Sequence, residues 1–243
     1  MQPFLRVDAG AENRLLAAVS VVERGRLDAF LHAAEMPDRR LLSGPGDAIR
    51  DVWFPSDAVV SVVADMEDGE SVEVGLIGPE GMAGLGVLFG VGRSSTRVMV
   101  QIAGTGQRMS AVDFTRHVVE PRGELYRLAM RYANTFLGVV AQGAACNARH
   151  TVEQRLARWL LTAHDRVKRD RFHLTHDFIA MMIGIRRPSV TEVMGMLREV
   201  GGIEYAHGDI RIIERAALES RACPCYATIR RQIDDAANDN SSR

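Results

Sequence analysis

Between Leu174 and Arg198 the chain carries polar side chains of the types, and at the spacing, that read a nucleic acid. Arg187 can offer two parallel donors to O6 and N7 of a guanine, and Arg186 beside it adds a second cation. Ser189 and Thr191 follow within about one helical turn and can reach a base edge or a phosphate. Glu192 can accept from the N4 amino group of a cytosine, or steer a neighbouring arginine. Thr175 and His176 upstream and His207 downstream are further candidate contacts to DNA. This set implies recognition rather than reaction. No Ser-His-Asp or Cys-His arrangement is visible along the chain, so no catalytic residue is assigned.

Such a set needs a helix that can enter a groove. Leu174 to Gly184 reads as a short helix capped by Thr175, with Ile179, Met182 and Ile183 inward and Gly184 as its stop. Ile185 to Arg187 form the turn. A second helix, Pro188 to Val200, begins with proline where a missing N–H costs nothing, and turns Val190, Val193, Met194 and Leu197 inward. Arg187, Thr191, Glu192, Gly195 and Arg198 then face out. Gly201-Gly202 ends it, and Ile203–Tyr205 with Ile210–Ile212 form a hairpin around Ala206–Asp209. Helix, turn, helix and hairpin is the order of a winged helix-turn-helix, whose second helix fits a major groove about 12 Å wide. The competing reading makes these elements the end of an α/β core with a solvated polar face.

Upstream, Asn13 to Met36 reads as a helix with a break near Gly25. Ser61–Ala64, Ser71–Leu76 and Arg97–Ile102 are short, β-branched and partly alternating, with Asp68-Gly69 as a hairpin turn, which predicts an antiparallel barrel or roll reaching to about Phe114. From Pro121 to Arg149 the period is helical again. Leu125, Leu128, Tyr132, Phe136, Val139, Gly143 and Cys146 form one apolar stripe about seven turns long, read as the seam with a second copy of the chain. The other reading of that stripe is a helix packed on its own β domain. Thr151–Val167 is the next helix, and the polar tail from Asp234 to Arg243 is expected to fray.

The 243 residues are 47% hydrophobic, enough for one large domain or two ordinary ones, which excludes a disordered chain. Net charge is −1, so no overall basic field exists. Between Arg149 and Arg187, however, nine Arg or Lys stand against four Asp or Glu, a local excess of five beside the helix-turn-helix. No apolar run approaches the ~20 residues that span a bilayer, and MQPFLRVDAGAENR carries acidic residues where a secretion signal would be basic and then apolar. The expectation is a cytoplasmic protein with no membrane partner. Three cysteines make no disulfide framework. Cys223-Pro-Cys225 has the look of a metal or redox pair, with His207 as a conceivable companion, but it lacks a second pair in sequence and no metal site is assigned. Gly84–Gly90 lacks the spacing of a phosphate cradle and reads as turns.

Taken in order, these segments resemble the Crp/Fnr superfamily of bacterial regulators over nearly the whole chain. Leu174 to Ile213 is similar to its winged helix, Phe54–Ser61 and Gly78–Leu85 to its cyclic-nucleotide-binding β-roll, and Leu125–Cys146 to its dimer helix. The resemblance implies an α+β fold: a β-roll (a cyclic-nucleotide-binding-like jelly roll) with an N-terminal helix over 1–120, a dimerisation helix over 121–149 and a winged helix-turn-helix over 150–243. It implies a homodimer on palindromic double-stranded DNA, with RNA polymerase as a candidate partner and no enzymatic activity. It also places an effector pocket at Gly81, Met82, Ala83, Arg93, Ser95, Thr96 and Arg97. There the chain departs from relatives that bind cyclic AMP. The ribose-gripping turn, Gly81-Met82-Ala83, has no carboxylate, the phosphate positions fall on Ser95-Thr96, and the adenine-reading positions fall on Val140 and Ala141. Apolar side chains cannot hydrogen-bond an adenine edge, so cyclic AMP is not the expected effector and no cofactor is assigned. The remaining readings are a regulator that needs no effector, a sensor of another nucleotide or of a redox signal, one that works by protein contact, or a nucleotide-using enzyme built on the roll.

Overall fold

A computed structural model describes residues 12–167 and 169–238. Asn13 caps the first helix, α1 (Arg14–Ala17), by accepting from the amides of Leu15 and Leu16, and Ser20 caps α2 (Val21–Leu27). The chain then extends at once into β1 (His32–Met36). The single helix expected from Asn13 to Met36 is thus two short helices and a strand. Its break lies at the two caps rather than at Gly25, because the side chains of Asn13 and Ser20 each take up the free N–H groups that start a new helix.

β2 (Leu41–Ser43), β3 (Asp51–Pro55), β4 (Val59–Asp65), β5 (Ser71–Ile77), the single turn α3 (Leu85–Leu88), β6 (Arg97–Ile102) and β7 (Gly104–Ser110) complete the roll. Two antiparallel sheets face each other, β1-β7-β3 and β2-β6-β4-β5. Asp68-Gly69 does turn β4 into β5, with Gly69 in the left-handed region that a glycine tolerates. The short helix α4 (Ala111–Phe114) leads out of the roll.

The long helix α5 (Glu124–Arg149) is fixed at its start by α2: the Glu23 carboxylate accepts from the amides of Glu124 and Leu125 at 2.7 and 2.9 Å. A carboxylate there also meets the positive end of the helix dipole. Thr151 and Gln154 form a reciprocal capping box that begins α6 (Val152–His164). The winged helix-turn-helix follows as β8 (Arg171–His173), α7 (His176–Ile183), α8 (Arg187–Glu199), β9 (Ile203–Ala206) and β10 (Asp209–Ile212), its sheet ordered β8-β10-β9. Two further helices, α9 (Arg215–Arg221) and α10 (Cys225–Asn238), end the described chain. The expected fraying from Asp234 does not hold as far as Asn238, which still belongs to α10; positions 239–243 lie outside the described residues. The apolar spacing of Tyr226, Ile229 and Ile233 gives α10 one inward face against α5 and α6.

The packing divides into two cores. One lies inside the roll, where Phe54, Met82, Val100, Met109 and Phe114 meet Leu125, Leu128, Ala129 and Tyr132 of α5. The other joins Leu156, Leu160, Ile179, Val190 and Leu197 of the winged helix to Val59, Val63, Leu76 and Ile102 on the roll. Gly81 marks the tightest approach: a Cβ there would overlap the phenol ring of Tyr132. Gly81→Ala is therefore expected to destabilise the chain by about 1–3 kcal/mol, read as a lower midpoint in urea with an unchanged slope.

Candidate nucleic-acid interface

Thr175 caps α7 by accepting from the amide of Phe178, and Gly184 ends it with a positive φ of 66°. The turn releases α8, which begins with Arg187 and has Pro188 in its first turn. Val190, Val193, Met194 and Leu197 are buried, while Arg186, Arg187, Thr191, Glu192 and Arg198 are exposed. The N-terminal end of α8 therefore presents two arginines and a glutamate outward, with Ser189 half-buried between them. Arg187 Nε lies 3.4 Å from the Asp177 carboxylate, with both groups about two-thirds exposed. Such a contact is weak in water and easily traded for a stronger partner.

Three expected contact residues also do internal work. Thr175 spends its hydroxyl on the cap. Thr191 donates to the carbonyl of Arg187 and sits 3.0 Å from Nδ1 of His176. His176 stacks on Tyr205 at 4.4 Å between ring centroids. Burial first, and then the Arg187 charge, push its pKa down, so near neutral pH it is an uncharged tie between α7, α8 and the wing. The hairpin turns on His207 and Gly208, both with positive φ (51° and 89°), the two-residue geometry whose twist suits a hairpin. His207 is exposed at the tip. Behind it, Arg171 and His173 share the Asp209 carboxylate, which their hydrogen bonds and charge hold below its usual range.

The local excess of positive charge is not one patch. Arg166 is buried against Glu80 at 2.7 Å, Arg155 donates to the carbonyl of Ile183, Arg158 is half-buried, and Arg169 donates to the carbonyl of Ala103 on the roll. Lys168 lies outside the described residues. Counting charges along a helix misses which of its faces is covered, and here α6 turns its arginines toward the roll and the neighbouring helices.

The expected effector residues are scattered in environment. Met82 and Ala83 are buried in the roll core beneath Tyr132. Arg97 is committed to Asp65 at 2.5 Å, and Arg93 to the carbonyl of Gly46. None of the seven lines either of two partly open cavities beside α5. One of those cavities, about 160 Å³, is lined by Glu73, Val140, Gly143, Arg158, Trp159 and Arg166. In it Glu73 accepts from Trp159 Nε1 and Ser61 Oγ, both at 2.8 Å. Burial raises its pKa to about 7, against the ordinary 4.5, although these two donors and the charges of Arg158 and Arg166 pull the other way. Between those values the folded chain binds more protons than the unfolded one, so this group's contribution to stability is present below pH ~4.5 and lost as pH rises through ~7. Glu73→Gln keeps an acceptor and removes the charge. It is expected to raise stability by about 1–2 kcal/mol at pH 8 and to change little at pH 5, in paired urea titrations.

The stripe from Leu125 to Cys146 faces inward. Leu125, Leu128 and Tyr132 belong to the roll core, Phe136 packs beside Tyr132 and over Gly75 of β5, and Val139 is buried. Gly143 borders the cavity, and Cys146 is buried against Cys223. The seam expected of these residues is therefore corrected: a helix that must cover its own roll uses its most apolar stripe there. The outward stripe is a different one, Met130, Asn134, Leu137, Ala141, Ala144 and Ala148, all exposed, Leu137 by 67%. The Cys223-Pro-Cys225 pair, alone in sequence, also gains company, though His150 rather than His207 is the histidine beside it.

Comparison with known proteins bears on this arrangement. A family model described as a Crp-like helix-turn-helix domain matches residues 154–221. The transcriptional regulator SdrP of Thermus thermophilus is 25% identical over 182 residues, 68% of this chain and 81% of that protein. Among solved structures, a CRP-family transcriptional regulator from Thermus thermophilus superposes with a TM-score of 0.63 at 20% identity, covering 78% of this chain and 96% of the other. FixK2 of Bradyrhizobium japonicum gives 0.66 at 14%, covering 79% and 98%. The two structural likenesses establish the fold. Residues 154–221 are thus a Crp-like helix-turn-helix domain, carried on a chain whose fold is shared with those two structures.

Proposed function

We propose that the chain is a transcription regulator of the Crp/Fnr superfamily that acts in the cytoplasm as a homodimer on a palindromic site in double-stranded DNA, with α8 of each protomer in a major groove. The observation that carries the reading is the N-terminal end of α8, which offers Arg186, Arg187 and Glu192 outward, with Ser189 half-buried among them, while Val190, Val193 and Leu197 bind it to α7 and the wing. Arg187 is the residue for a bidentate contact to guanine, Arg186 for a phosphate, and His207 at the wing tip for a phosphate of the adjoining minor groove. Thr175, Thr191 and His176 act through the positions they fix.

The second copy docks on the outward stripe of α5. Its residues repeat at four and three, the heptad spacing of two helices in register, and its alanines allow a close approach. Asn134 is the polar residue that fixes their alignment. The roll does not grip cyclic AMP in the usual manner, since Met82 is fully buried and the turn supplies no carboxylate.

Selection of bound duplexes from a random-sequence pool tests this. The expected product is an inverted repeat whose half-sites are about 10 base pairs apart, centre to centre. Recovery of unrelated sequences, or of single half-sites only, would contradict it.

A further inference from the structure

Where α5 ends and α10 begins, four side chains with metal-ligating atoms converge. Cys146 stands on the last turn of α5 and His150 is the residue that caps its end, and Cys223 and Cys225 flank Pro224 at the start of α10. Their four ligand atoms all lie within 4.8 Å of one another. Cys146 Sγ is 3.4 Å from Cys223 Sγ, and Cys225 Sγ is 3.6 Å from His150 Nδ1. A tetrahedral zinc ion with its ordinary bond lengths requires about 3.8 Å between sulfurs and about 3.5 Å between sulfur and nitrogen. The observed separations fall close to those edges, and a centre of several irons would need its ligands further apart.

We propose that Cys146, His150, Cys223 and Cys225 form a tetrahedral site for a thiophilic divalent cation of the zinc class, which staples α10 to the end of α5. Three further features fit it. The three thiols are buried and form a packed cluster of their own, apart from both apolar cores. Gln142 Nε2 donates to Cys225 Sγ at 3.0 Å, the outer-shell hydrogen bond that orients a thiolate ligand. On binding, three thiols release three protons and the neutral imidazole contributes none, leaving a centre of net charge −1. Arg158 acts electrostatically on Cys223, and Arg155 on both Cys146 and Cys223, so each supplies compensating charge. The site sits beside the junction at His150-Thr151 through which α5 passes to the winged helix, so the ion would set how firmly that junction is held. The assignment does not depend on the DNA-binding reading.

The test uses the full chain, stripped of metal with chelator and kept reduced, titrated with Co²⁺. Expected are the intense visible bands of tetrahedral cobalt with thiolate charge transfer in the near ultraviolet, saturating at one equivalent and bleached by Zn²⁺. Cys225→Ser and His150→Ala are expected to lower cobalt affinity by at least about 100-fold, and Gln142→Ala by roughly 10- to 100-fold with the band shape kept. His207→Ala is expected to leave the cobalt titration unchanged. A reduced chain that stays colourless at one equivalent overturns the proposal, as does a spectrum that persists in both Cys225→Ser and Cys223→Ser, or iron–sulfur absorption in its place. Circular dichroism on each variant separates loss of the site from loss of the fold.

Discussion

Arg187→Ala is expected to weaken binding to the selected duplex by about 1–3 kcal/mol per half-site, and to relax the preference at one base pair of each half-site. The side chain leaves the first turn of α8 with only a weak, exposed contact to Asp177, so little internal structure is lost with it. Arg186→Ala is the informative companion. A phosphate contact should weaken binding about equally on all sequences and reduce the slope of log affinity against log salt by about one unit per arginine removed. Anisotropy titrations at several salt concentrations distinguish the two. Equal, sequence-independent losses for both variants would mean that Arg187 reads no base.

The second large effect concerns the outward stripe of α5. Leu137→Glu is expected to convert the dimer to monomer at micromolar concentration. Each leucine withdrawn from a buried seam forfeits about 1.5–3 kcal/mol, the two-fold axis counts it twice, and the new carboxylates face each other. Sedimentation should show a single-chain species that is folded but binds DNA only at non-specific strength. Phe136→Ala, one residue earlier on the inward face, should behave oppositely: a thermal midpoint several degrees lower, with the dimer retained below it. A dimer that survives Leu137→Glu places the seam elsewhere.

These predictions show which parts of the chain could be read directly. The helix-turn-helix was legible because its signals are local: a threonine cap, a glycine stop, a proline in the first turn and a two-residue hairpin each act within a few residues of themselves. The roll was legible through its alternation and its Asp68-Gly69 turn. What sequence did not reveal was the choice between faces. Leu125 to Cys146 and Met130 to Ala148 are both periodic stripes on one helix, and only the position of the roll decides which is covered. Arg166 looks like surface charge until Glu80 is found beside it. Glu73 with Trp159, and Cys146 with Cys223, are pairs separated by more than seventy residues, for which no spacing rule exists. The inward face of α10 was the exception, since Tyr226, Ile229 and Ile233 carry the helical period and could have predicted it.

The most direct test of the account is geometric. On the selected duplex, five base pairs are inserted between the half-sites, and affinity is measured for the unaltered chain. Half a helical turn carries one half-site to the opposite side of the DNA, beyond reach of two α8 helices held by one α5 seam. The account predicts that affinity falls to the non-specific level and returns in part when ten base pairs are inserted instead. Unchanged affinity at five base pairs would contradict a dimer that reads both half-sites at once.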